Sequence, residues 1–165
     1  MPTELDKQLD AITDTLIGPG GPGETVPFTR NGVTMPSFKT APPSLAHYFA
    51  HYCAEHGDTE FLVDDGCRLT FREAYEAARH VAAGLLSQHK LVKGDRIGIA
   101  ARNSANWIIA YMGITMAGGC AALVNGFSTG EEMAEAIRMV GCRLVLADRK
   151  RAERLEGTSH GATIL

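Results

Sequence analysis

Residues 96–147 read RIGIAARNSANWIIAYMGITMAGGCAALVNGFSTGEEMAEAIRMVGCRLVLA, and their periodicity decides the fold class. Arg96–Ala101 is an apolar run of strand length that follows a Lys93-Gly94-Asp95 turn. Asn103 or Ser104 then offers a capping oxygen, and Asn106–Met116 is apolar nearly all round, which predicts a helix buried on both sides. Gly118-Gly119 stops it. Cys120–Val124 carries almost no polar atoms, as expected for a strand in the middle of a parallel sheet. Ser128 with Glu131 makes a capping box, and Met133, Ile137 and Val140 recur at helical spacing on an inward face. Gly141 closes that helix, and Arg143–Ala147 is a further buried strand. Strand, helix, strand, helix, strand at these lengths is the βαβ pattern. The expected fold is α/β, a mostly parallel sheet with flanking helices.

The regular pattern extends upstream to Ser44, which caps a helix carrying Leu45, Tyr48, Phe49 and Tyr52 on one face and ending at Gly57. Glu60–Asp65 reads as a short strand, Asp65-Gly66 as a hairpin turn, and Cys67–Thr70 as the returning strand. Thr70 and Glu73 form a capping box, with Leu69 placed as a hydrophobic staple. The helix that follows, to about His89, puts Phe71, Ala74, Tyr75, Ala78, Val81, Ala82 and Leu85 on one stripe. Downstream, residues 149–156 form a short charged helix and Ala162–Leu165 starts another strand. Ending inside an apolar strand, residues 44–165 are expected to be an α/β subdomain of a longer chain.

Residues 1–43 differ in character. Leu5, Leu9, Ile12 and Leu16 mark a lead-in helix with Thr3 and Asp6 at its cap, and that apolar face needs a partner. Residues 18–43 hold six of the seven prolines, so no helix runs through them, and a covering arm or linker is expected. The run Gly18-Pro19-Gly20-Gly21-Pro22-Gly23 lacks the Gly-Lys-Ser/Thr ending of a phosphate loop, and its prolines remove amides that such a loop uses.

Composition excludes several classes. With 45% hydrophobic and 21% charged residues and a net charge of −3, the composition of the 165-residue chain argues neither for a nucleic-acid partner nor for an anionic membrane surface. The N-terminus has no signal-peptide core, and Trp107–Val124, though apolar, is broken by glycines and is no membrane span. Four cysteines without a Cys-x-x-Cys pair point to a reduced, cytoplasmic chain, with Cys120 and Cys142 as small buried hydrophobes. Self-association through uncovered apolar faces is a further expectation.

Certain of these residues resemble a known family. Leu69-Thr70-Phe71-Arg72-Glu73 resembles the first conserved stretch of the adenylate-forming (AMP-binding) superfamily, with Phe71 and Ala74 in place of its tyrosine and leucine. Gly94-Asp95-Arg96-Ile97-Gly98-Ile99 is similar to that family's Gly-Asp-Arg-Val-Ala strand entry, and Asn103 with Trp107 to its Asn-x-x-x-Trp helix start. Met116–Asn125 resembles the second conserved stretch, with Leu123-Val124 where a proline is usual. The order and spacing of these segments over residues 40–148 carry the resemblance. It implies the N-terminal part of an acyl- or aryl-acid–CoA ligase. Such enzymes join a carboxylic acid to ATP, with Mg²⁺, to give acyl-AMP and pyrophosphate, and then pass the acyl group to CoA.

The family's lysine-bearing phosphate loop has no match here, since Gly157-Thr158-Ser159-His160-Gly161 lacks a following lysine; no catalytic residue is nominated, and this chain alone is expected to be a scaffold. Arg149, Arg151 and Arg154 are the candidates for CoA phosphate contacts, as the resemblance implies for the segment after this strand. The plainer alternative is a solvated helix face, because Asp148, Glu153 and Glu156 interleave. His47 and His51 have zinc-compatible spacing but lie opposite the Leu45–Phe49–Tyr52 stripe, which makes them a solvent-facing pair. Two other functions stay open: a non-catalytic α/β interaction module, and an adenylation domain that loads a carrier protein.

Overall fold

The computed structural model describes residues 2–165. The chain divides after Pro43 into two compact units. In the first, α1 (Glu4–Ile17) starts with a complete capping box: the Thr3 hydroxyl accepts from the Asp6 amide, and the Asp6 carboxylate accepts from the Thr3 amide. No residue of α1 is buried. The stretch expected to be an arm contains a hairpin, β1 (Thr25–Arg30) and β2 (Val33–Phe38). Asn31 and Gly32 make its turn with φ of 51° and 78°, the left-handed pair that a two-residue hairpin demands. Pro27 and Pro36 face each other across it, and proline is tolerated because both strands of a two-stranded ribbon are edges.

The second unit opens with α2 (Leu45–His56), capped by Ser44. The hairpin of β3 (Glu60–Asp64) and β4 (Cys67–Thr70) leads through the Thr70–Glu73 capping box into α3 (Phe71–Ser87). Then come β5 (Arg96–Ala100), α4 (Ala105–Met116), β6 (Cys120–Leu123), α5 (Gly130–Val140), β7 (Leu144–Ala147), α6 (Arg149–Leu155) and β8 (Thr163–Ile164). The four strands from β5 onward form a parallel sheet in the order β6-β5-β7-β8. The expected α/β class is therefore what the chain adopts.

Strand periodicity sorts the core into two layers. Ile97, Ile99 and Leu144 face Leu85 of α3 and Ala110 and Ile114 of α4. Ala100 and Val145 point the other way, onto Met133, Ala134 and Ile137 of α5 and Leu155 of α6. A third cluster joins the β3–β4 hairpin to the helices, with Cys53, Ala78, Ile109 and Met112 at its centre and Phe61 stacked on Phe71 at 4.2 Å.

Two local expectations are corrected. β6 lies at the sheet edge, because β5 and not β6 takes the place between two neighbours; Leu123 is 59% exposed and Cys120 is exposed rather than buried. Ala121 and Ala122 are still covered on their two faces, so the strand reads as central from its composition alone. The capping box of α5 is Thr129–Glu132, one residue later than Ser128–Glu131; Met133, Ala134 and Ile137 are buried, while Val140, expected to face inward, is exposed. Of the two expected candidates for the cap of α4, Ser104 is the one that serves. α3 and α4 cross closely at Gly113, where an added Cβ would stand 2.7 Å from the Val81 Cβ and 2.9 Å from the Ala78 carbonyl.

Two glycine substitutions should therefore act in opposite directions. Gly113→Ala overpacks the crossing and should lower unfolding free energy by about 1–3 kcal/mol. Gly84→Ala, inside α3 with open space around it, should raise it by about 0.5–1 kcal/mol. Urea titration of both variants measures the two signs directly.

Candidate functional site

The strand order reverses at β5: the chain moves from β5 out to β6, then crosses back over β5 to β7. Parallel sheets bind ligands outside the carboxyl ends of their strands at such a reversal. A groove of about 980 Å³ lies there, walled by the segments that leave β5, β6 and β7. Its apolar side is Trp107, Leu123, Val124 and Phe127; its polar side includes Asp64, Asn103, Asp148 and Lys150.

The frame of the groove is a buried guanidinium. Arg151 is 7% exposed, the one buried charged side chain among the described residues. Its Nε donates to the Gly126 carbonyl at 2.8 Å, and its Nη1 to Asp148 Oδ2 at 3.2 Å. The same Oδ2 accepts from the Arg102 amide at 2.9 Å, while Oδ1 caps α6 by accepting from the Arg151 amide at 3.0 Å. Arg154 adds a second donor to the Gly126 carbonyl and one to that of Ser128. The exits of β5, β6 and β7 are thus joined through two side chains. Gly126 is held so closely that a Cβ there would stand 3.1 Å from both the Ala101 carbonyl oxygen and Arg151 Nε.

Charge placement is consistent with that role. Burial alone would raise the Asp148 carboxyl, but the amides of Arg102 and Arg151 and the Arg151 charge outweigh it and hold the group below its usual range. Asp64 is likewise lowered, by the amides of Asp65 and Ala105; the second of these bonds ties the β3–β4 hairpin to the start of α4. Phe127 sits on the anchored turn, its amide donating to Asn125 Oδ1, and the residue is 91% exposed at the groove rim.

The three arginines expected to meet CoA phosphates are not equivalent. Arg151 and Arg154 converge on the Gly126 turn, with donors directed at carbonyls and at Asp148. Arg149 is exposed and pairs with Glu153 at 2.9 Å, and Lys150 lies beside it on the groove. His47 is hydrogen-bonded to Ser44 and His51 pairs with Glu55; both are exposed. The sequence reading missed Asp148 and Phe127. Asp148 had a signal, as an aspartate directly between an apolar strand and a charged helix is an N-cap. Phe127 stood out only as part of Gly126-Phe127-Ser128, and a lone aromatic in a turn does not show whether its ring is exposed.

The model of the AMP-binding enzyme family matches residues 49–164. The chain belongs to that family. It is 32% identical over 113 residues to a long-chain-fatty-acid–CoA ligase of Haemophilus influenzae, covering 68% of this chain and 20% of the relative. It is 28% identical over 100 residues to 4-coumarate–CoA ligase 3 of Arabidopsis thaliana, covering 61% and 18%. Among solved structures, the N-terminal subdomain of Klebsiella oxytoca NpsA, in complex with anthranilyl-AMSN, superposes with a TM-score of 0.65 at 23% identity, covering 74% of this chain and 30% of that one. The chain spans about a fifth of the length of the curated relatives it matches. Its parallel sheet with flanking helices is the framework of this family's N-terminal subdomains.

Asp148→Ala removes the partner of a buried cation and the cap of α6, and should lower unfolding free energy at pH 7 by about 2–3 kcal/mol. Because the folded-state pKa lies below the unfolded value of about 3.9, the ionic contribution is complete above that value and is lost as pH falls through the folded one. The gap between wild type and variant should therefore narrow below pH 4. Denaturant melts at pH 7 and pH 3 check this, and an unchanged gap would contradict it.

Proposed function

We propose that this chain is the N-terminal part of an ATP-dependent acid–CoA ligase. In that reaction a carboxylate oxygen attacks the α-phosphorus of ATP, pyrophosphate leaves, and the thiol of CoA then displaces AMP from the acyl-AMP. The observation that carries the reading is the naming of most of the curated relatives: a coumarate ligase and fatty-acid ligases from distant organisms are CoA ligases by name, and they match alongside a very long-chain fatty acid transport protein. The fold likeness to an adenylation subdomain fits a carrier-loading enzyme equally well, so the acceptor rests on those relatives.

On this reading the present residues do no bond-making. Among the described residues no group of three His, Cys, Asp or Glu side chains is placed to hold a metal ion, and no step through Mg²⁺ is assigned. The acid, ATP and the reacting lysine-bearing segments belong to parts of the parent enzyme outside this stretch. What the stretch supplies is a rigid wall with an exposed aromatic ring, Phe127, and two exposed cations, Arg149 and Lys150, on one groove. A flat ring beside cations suits a purine nucleotide bearing phosphates, which is the form of the nucleotide end of CoA. Arg151 and Arg154, the other two arginines proposed for CoA, would serve by holding the turn on which that ring stands.

Titration of the 165-residue chain with CoA, followed by calorimetry, tests the acceptor. Weak binding in the millimolar range is expected, reduced at least about fivefold by charge reversal at Arg149 and Lys150. Absence of CoA binding would move the reading to a carrier-loading adenylation domain. ATP–pyrophosphate exchange catalysed by this chain alone would contradict its role as a scaffold.

A further inference from the structure

The family match begins at residue 49, so the first unit lies outside it. Within that unit Leu5, Leu9, Ile12 and Leu16 of α1 stand 47–63% exposed. Their spacing of four, three and four residues is the heptad rhythm. It places Leu5 and Ile12 at d positions and Leu9 and Leu16 at a positions. A helix that packs on a globular core carries a wider stripe, with a third apolar position at e or g. Here the positions flanking the seam are Asp6, Gln8, Thr13 and Thr15.

Those flanks identify the occupant. They are polar but nearly uncharged, and the one carboxylate among them, Asp6, is engaged by the amide and hydroxyl of Thr3. The other charges, on Glu4, Lys7, Asp10 and Asp14, fall at b, c and f positions away from the seam. Two copies of α1 can therefore meet without opposing like charges along their rims. A basic partner helix would call for acidic flanks, which α1 lacks apart from Asp6. An anionic lipid surface would call for lysines and arginines on the polar face, where α1 carries four carboxylates and one lysine. A 14-residue helix is marginal by itself in water, so whatever covers the seam also sustains the helix.

We propose that α1 is a self-association element: the helices of two copies of this chain pack through the four apolar layers Leu5, Leu9, Ile12 and Leu16. Sedimentation of the 165-residue chain from about 5 to 500 μM tests it. So short a seam should be weak, with half-association on the order of 100 μM, so the mass should climb from one chain toward two across that range. Ile12→Glu should hold the mass at one chain throughout, and Leu9→Met should leave the climb in place. The urea midpoint, set by the core of the second unit, is the control that the variants are folded. A single-chain mass at 500 μM would overturn the proposal. So would association that survives Ile12→Glu, which would place the contact elsewhere. A wild-type chain that stays single but co-sediments with phosphatidylserine-containing vesicles would assign the face to lipid and overturn it as well.

Discussion

The groove depends on one buried charge. Taking a guanidinium out of water costs several kcal/mol unless a counter-charge and hydrogen bonds replace the lost hydration. Arg151 receives both, from Asp148 and from the Gly126 carbonyl. The arrangement is cooperative in a simple sense. Asp148 is held ionised by the amides of Arg102 and Arg151, and the ionised carboxylate is what makes burial of Arg151 tolerable. Removing either partner leaves the other as an uncompensated group, which is costlier than never having had the pair.

That network sits where the sheet needs it. Parallel pairing fixes the strands along their length and reaches one residue beyond them, through the Val124 and Asp148 amides on the Ile99 and Ala100 carbonyls, but past that the loops have no ladder to hold them. At the reversal between β5 and β7 those loops diverge, and Asp148 closes the gap by accepting from Arg102 on the far side. The Gly126 turn is then drawn in by two arginines from α6. A rim braced by side chains from α6 follows. The N-terminal unit stands apart from this logic. Its helix buries no residue, and Leu5, Leu9, Ile12 and Leu16 are exposed along it.

Much of this was legible in the sequence. The helices announced themselves by caps: Thr3–Asp6, Ser44 and Thr70–Glu73 all start helices where they were read. The βαβ alternation from Arg96 to Ala147 led correctly to a parallel sheet, and the resemblance of Leu69–Glu73, Gly94–Ile99 and Met116–Asn125 to conserved stretches led to the family. What was not legible has physical causes. Strand order is a long-range property, so Cys120–Val124 looked central while Leu123 is at an open edge. Ser128–Glu131 and Thr129–Glu132 are equally good boxes by residue type, and the fold uses the second. Asn31-Gly32 was a hairpin signal overlooked because prolines on both sides read as breakers. Arg151 sat in a charged run whose members look alike, and only the fold turns one of them inward while Arg149 stays in solvent.

The central claim is that the strand exits are locked together through Asp148 and Arg151. Native-state hydrogen exchange at the Arg102 amide tests it most directly. That amide belongs to an exposed loop residue and has no backbone partner, so its one protector is the Asp148 carboxylate. At neutral pH it should exchange at least about 100-fold more slowly than an unstructured peptide, in step with the amides of β5. Exchange at the free-peptide rate, with β5 still protected, would show that the exits are not joined and would contradict the account.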